Sequence, residues 1–166
     1  ISPPLFLIIS IMLAHGIGLW LGAKAPPAHS SSLALIGANA ENLLAFRALF
    51  FAVFPLAMSA GLLRTRGIHL DRNTLRSPFY LQCYLAAPFA IMISTAIALI
   101  TIPGTLHHKF GLALLAAAVV WYVWVQTRWF FQQIEQGWWG SFGLALRYFA
   151  LALTVELVAI LIIMVI

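Results

Sequence analysis

Residues 79–102 read FYLQCYLAAPFAIMISTAIALITI, without one charged side chain among them. At 1.5 Å per residue a helix of that length reaches about 36 Å, enough to cross the roughly 30 Å of hydrocarbon in a bilayer. Four stretches of similar character accompany it, at Pro4–Ala23, Asn42–Leu63, Phe110–Phe131 and Phe142–Ile166. What remains between them is too short for a soluble domain. Composition points the same way: 63% of the 166 residues are hydrophobic and 8% charged, against about 25% charged in an ordinary soluble domain. With a mean hydropathy of +1.01, the solvent on most faces has to be apolar itself. The expected fold is all-α, an integral membrane bundle of five transmembrane helices that forms one domain over residues 1–166.

The first stretch is expected to be retained in the protein and not removed as a signal peptide. Its apolar core is too long and no basic segment precedes it, while Gly22-Ala23-Lys24-Ala25-Pro26-Pro27 reads as a loop. Because the chain starts at Ile1 and not Met, an upstream segment is expected. Pro55 and Pro88 lie inside the second and third spans and should kink them, which neighbouring helices can compensate. The Lys24–Glu41 connection has room for a short surface helix at Leu33–Ala40. Pro103-Gly104 marks a tight turn that makes spans three and four neighbours. Trp138 and Trp139 suggest that Gln132–Gly140 is a partly immersed interfacial segment.

Basic loops are retained on the cytoplasmic side. Arg64, Arg66, Arg72 and Arg76 lie between spans two and three, and Arg128 ends span four at the same side; the opposite loops hold only Lys24 and Lys109. The amino terminus is therefore expected inside and the carboxyl terminus outside. Trp129, Phe130, Phe131, Trp138, Trp139 and Tyr148 gather at the inner interface of this topology, and Trp20 lies near the outer one. The net charge of +5 is spread too thinly for a nucleic-acid partner, and topology accounts for it. The four arginines between spans two and three suit contact with anionic lipid head groups, or serve topology alone.

An ionisable group at membrane depth needs a partner or a function. Three residues qualify: His15, Arg47 and Glu156. Counted from the inner ends of their spans, Glu156 lies about 21 Å deep, Arg47 about 24 Å and His15 about 16 Å. An ion pair between Glu156 and Arg47, with His15 close beneath, would spare an unpaired buried charge. Such a cluster could fix helix register, with His15 bonding a carbonyl, or it could relay protons or substrate. Arg47 and Glu41 are also near enough to a helix end to reach head groups on their own.

Other signals are weaker. His107-His108 has no third ligand at hand, so no metal site is expected. Cys83, the one cysteine, excludes an internal disulfide and reads as a small packing residue. Small residues at Gly16, Gly18 and Gly22 and at Ala113, Ala116, Ala117 and Ala118 would permit close helix contact. Trp121 and Trp124 share a helical face in span four and suit packing on lipid or a partner subunit. Phosphate loops, nucleophile elbows and paired zinc-binding histidines are missing from the sequence. Four acidic residues are also a poor stock for acid/base catalysis or a magnesium site. No enzyme and no cofactor is therefore expected.

The order of several short features carries a resemblance. Ser2-Pro3-Pro4-Leu5-Phe6 opens the first span, Pro55 falls in the second, and a basic loop follows. Tyr84-Leu85-Ala86-Ala87-Pro88 sits in the third span, and Pro103-Gly104 turns before the fourth. In this the chain resembles the Yip family of five-span membrane proteins, which are interactors of Rab-type GTPases in eukaryotic secretory membranes and are often labelled permeases in bacteria. The resemblance implies a cytoplasmic tail upstream and no catalytic residues, and it matches neither His15 nor Arg47 to a family motif. The expected function is that of a non-enzymatic scaffold or accessory subunit with the bilayer and other membrane subunits as partners. The alternatives are a small transporter with a polar pathway through His15, Arg47 and Glu156, and a membrane-embedded enzyme acting on lipids.

Overall fold

The computed structural model describes residues 2–21, 40–134 and 137–165, apart from the side chains of 40–47 and 163–165. Within them the chain is all-helical, with no strand. Five helices follow one another: α1 (Pro3–Trp20), α2 (Ala40–Thr65), α3 (Arg72–Thr101), α4 (Thr105–Gln133) and α5 (Trp138–Val165). Each is long and apolar enough to cross a membrane. The suggested short helix at Leu33–Ala40 lies outside the described residues except for Ala40, which opens α2.

Several helices run past the boundaries that hydropathy suggests, because polar turns can continue a helix beyond its apolar stretch. α3 starts at Arg72, seven residues ahead of Phe79. Asp71 caps it: its carboxylate accepts the Asn73 N–H at 2.8 Å, while its own N–H donates to the Thr74 hydroxyl at 3.1 Å. The arginine-rich segment is consequently less a loop than two helix ends, with Arg64 in the last turn of α2 and Arg72 and Arg76 in the first turns of α3. Likewise α4 continues through Gln133 and α5 starts at Trp138, so most of the supposed interfacial segment belongs to helix ends. Glu135 and Gln136 lie outside the described residues.

The α3–α4 hairpin turns at Gly104, whose φ of 135° favours glycine. α3 is the central element and packs on α1, α2 and α4; α5 closes the bundle against α4 and α2. Two close approaches depend on the lack of a side chain. A Cβ on Gly111 would stand 2.9 Å from the Ala96 carbonyl oxygen on α3, and one on Gly61 would stand 2.5 Å from the Tyr148 ring on α5. Gly18 faces Ala98 at an ordinary 3.7 Å, and Gly16 faces open space. On α4 only Ala118 of the small-residue group is buried, while Ala113, Ala116 and Ala117 point outward. The phase of the helix explains this, since its packed face runs through Gly111, Ala118, Tyr122 and Gln126.

At the centre four helices each contribute one ring. Phe54 of α2, Phe89 of α3, Tyr122 of α4 and Phe149 of α5 are all buried. Phe89 stacks on Tyr122 with centroids 4.3 Å apart. Phe54 lies 5.3 Å from Phe89 and 5.5 Å from Phe149. Aromatic pairs at such separations contribute about 0.5–1.5 kcal/mol beyond the area they bury. This quartet ties α2, α3, α4 and α5 together.

Candidate functional site: buried polar groups around the aromatic quartet

The quartet divides the polar groups of the interior. On the side where α3 begins and α4 ends, Gln82 and Gln126 face each other, both fully buried. The Gln82 amide donates to Gln126 Oε1 at 2.9 Å, and the Gln126 amide donates back to Gln82 Oε1 at 2.7 Å. A reciprocal pair of this kind satisfies one donor and one acceptor on each residue in a place that offers no water. Cys83, fully buried beside it, packs as a small apolar side chain.

On the other side stands Glu156, two helical turns beyond Phe149 on α5 and only 3% exposed. Neither carboxylate oxygen has a hydrogen-bond partner among the described residues. The Trp129 indole N–H and the Ser141 hydroxyl are buried and unpartnered in the same sense. By contrast Ser59 donates to the Pro55 carbonyl at 2.6 Å and Thr127 to the Val123 carbonyl at 2.8 Å, each within its own helix.

Of the three ionisable residues singled out in the sequence, His15 and Glu156 stand on helices that do not pack on each other among the described residues. His15 is half-buried on α1, and α1 makes no contact with α5 among the described residues, because α3 and α2 take up its packing face. His15 and Glu156 are therefore not brought together. Arg47 falls within α2, but its side chain lies outside the described residues, and so does the proposed pair. Glu41 lies outside them likewise. No family model matches the chain, and no curated protein or solved structure does either.

The basic residues separate into different roles at one end of the bundle. Arg66 donates through Nε to the Gln133 carbonyl at 3.0 Å and through its terminal nitrogen to Gln133 Oε1 at 3.1 Å, tying the end of α2 to the end of α4. Arg64, Arg72 and Arg76 are exposed, and the Arg76 guanidinium lies 5.4 Å over the Tyr80 ring. Arg147, which the sequence reading passed over, is exposed on α5 about 14 Å from its start. Its guanidinium lies 6.0 Å over the Tyr148 ring, and its long apolar stem allows the charge to lean towards the basic end. Among the described residues no three of His, Cys, Asp and Glu come together to hold a metal ion. His107 and His108 are exposed at the far end of the bundle.

The Gln82–Gln126 pair is the polar feature that a search restricted to ionisable residues misses. Its signal was available in the hairpin register: the two glutamines stand 22 residues to either side of Gly104. Residues equally distant from a tight turn lie level in an antiparallel helix pair.

Proposed function

We propose that the chain is a non-enzymatic integral membrane protein that acts by assembly, as a scaffold or accessory subunit of a larger membrane complex. The observation that carries this reading is the quartet of Phe54, Phe89, Tyr122 and Phe149, which fills the space between the glutamine pair and Glu156 with stacked and edge-on rings. Packed rings in the middle of a bundle suit a rigid structural body better than a pathway. The outward surface suits assembly too. Ala113, Ala116 and Ala117 leave α4 smooth on its exposed side, where another helix could approach closely. Trp124 nearby is 57% exposed and Trp139 on α5 is 82% exposed. The Yip-type resemblance and an inside amino terminus, from the basic end formed by Arg64, Arg66, Arg72, Arg76 and Arg128, fit the same reading.

Extraction of native membranes in a mild detergent, followed by measurement of particle mass, tests it. The expected result is a particle that holds more than one chain once detergent is subtracted, shrinking when Ala113 and Ala117 are both replaced by Trp. A lone chain in every mild detergent would refute assembly.

The buried Glu156, which has no hydrogen-bond partner among the described residues, supports a second reading, a small transporter or permease, because a carboxyl group at such depth is costly to keep for structure alone. Cysteine accessibility separates the two. With Cys83→Ser as background, Glu156→Cys should resist a membrane-impermeant thiol reagent if the bundle is an assembly body. Labelling from the aqueous side would favour transport.

A further inference from the structure

Between α2 and the first turns of α3 lies an open cleft of about 510 Å³, within the roughly 300–1,000 Å³ usual for small-molecule sites. Its walls differ in chemistry along their length. Arg72, Asn73 and Arg76 stand at the mouth, and Leu56, Phe79 and Tyr80 line the deeper part. We propose that this cleft binds one anionic glycerophospholipid, with its phosphate between Arg72 and Arg76 and one acyl chain along Leu56 and Phe79.

Length and charge support this occupant together. A 30-residue α3 is about 45 Å long, roughly 15 Å more than the hydrocarbon core. The excess falls at the polar start of the helix and sets Arg72 and Arg76 at head-group level. From Arg72 to Tyr80 is about 12 Å along the axis, so the apolar part of the cleft lies where an acyl chain begins.

Neither arginine has an acidic partner among the described residues. The nearest acid in sequence, Asp71, already accepts the Asn73 N–H as the helix cap. The Asp71 cap also takes up the start of the helix, which leaves the guanidiniums as the anion-binding groups. Arg72 and Arg76 are one turn apart on the same face, and Tyr80 one turn further holds the Arg76 guanidinium over its ring at 5.4 Å. Planar guanidiniums in such an arrangement match the paired oxygens of a phosphodiester. Leu56, 47% exposed, supplies the apolar surface that a free phosphate would not need. Arg66 is occupied with Gln133, and Arg64 does not line the cleft, so the four arginines are not equivalent.

The test is thermal melting of detergent-purified, delipidated protein with three additives: dioleoyl phosphatidylglycerol, dioleoyl phosphatidylcholine and inorganic phosphate. Phosphatidylglycerol alone is expected to raise the melting temperature of the wild type. The concentration giving half of that rise should increase at least tenfold in Arg72→Gln and in Arg76→Gln and stay within twofold in Arg64→Gln. Leu56→Trp, which fills the apolar part and leaves both arginines in place, should weaken the effect at least fivefold. Equal stabilisation by phosphatidylcholine would overturn the proposal, and so would an Arg64→Gln loss as large as that of Arg76→Gln. A full shift with inorganic phosphate alone, or an unaffected Leu56→Trp, would remove the acyl chain from the site and overturn it as well.

Discussion

Replacing Gln126 with Leu should expose how much the bundle depends on its buried amide pair. The substitution removes two hydrogen bonds, at 2.9 and 2.7 Å, and leaves the Gln82 amide with one donor and one acceptor unsatisfied at a fully buried site. Interhelical hydrogen bonds in membranes average about 0.6 kcal/mol, and an orphaned buried polar group costs about 1–3 kcal/mol. Because the flexible Gln82 side chain can turn towards a helix carbonyl, the low end applies, and a loss of about 1.5 kcal/mol is expected. Gln82→Leu should cost the same by symmetry. The double variant removes both orphans and keeps only the repacking cost of changed shape, about 1 kcal/mol. The singles then overstate the double by about 2 kcal/mol, within the range for residues in one network. Unfolding of the purified protein in mixed micelles on addition of dodecyl sulfate, followed by tryptophan fluorescence, measures all four corners of this cycle. If the double variant lost the sum of the two singles, the amides would not be working as a pair. If neither single lost anything, the site would be open to water.

Three glycines on packed or open faces should rank by what a methyl group would meet. Gly111→Ala drives a Cβ to 2.9 Å from the Ala96 carbonyl oxygen and 3.0 Å from the Ile100 nitrogen, so α3 and α4 must separate, and about 3 kcal/mol should be lost. Gly61→Ala presses on the Tyr148 ring, which can tilt, and should cost about 1–2 kcal/mol. Gly16→Ala meets nothing within 4 Å and should be neutral or gain up to about 1 kcal/mol from helix propensity. The same micelle titration gives the order, and a Gly111→Ala variant as stable as Gly16→Ala would contradict the α3–α4 packing. Glu156→Met removes a carboxyl group that has no hydrogen-bond partner among the described residues and keeps much of its volume, so it should stabilise by about 1–3 kcal/mol. A fall in melting temperature that Arg47→Gln reverses would instead reinstate the ion pair expected from the sequence.

The bundle was legible because the length and apolar character that a bilayer crossing demands are written directly in the chain: five predominantly apolar stretches of 20 residues or more stand out in the hydropathy pattern, and each corresponds to a helix. The helix ends were not legible by the same rule. Arg72–Pro78 extends α3 because Asp71 and Thr74 form a cap, a local hydrogen-bond signal that hydropathy does not register. The small-residue patch on α4 was read as one contact face, yet Ala118 packs inward while Ala113, Ala116 and Ala117 turn outward. Counting small residues without fixing the helical phase cannot separate the two sides.

Depth counting found Glu156 as a buried carboxylate and grouped it with His15, whose helix does not pack on that of Glu156 among the described residues. Depth is one coordinate of a membrane helix, and the neighbour relation is another. A helix pair joined by a tight turn has its neighbour relation fixed by the chain, as with Gln82 and Gln126 about Gly104. Helices joined by longer connections, such as α1 and α2, leave it open. α1 packs against α3 and α2 while α5 packs against α4 and α2, so residues at similar depth on α1 and α5 are kept apart by the helices between them. In a bundle of this size, polar residues symmetric about a short turn are therefore the pairs that sequence can predict. Pairs across long connections need the packing order first.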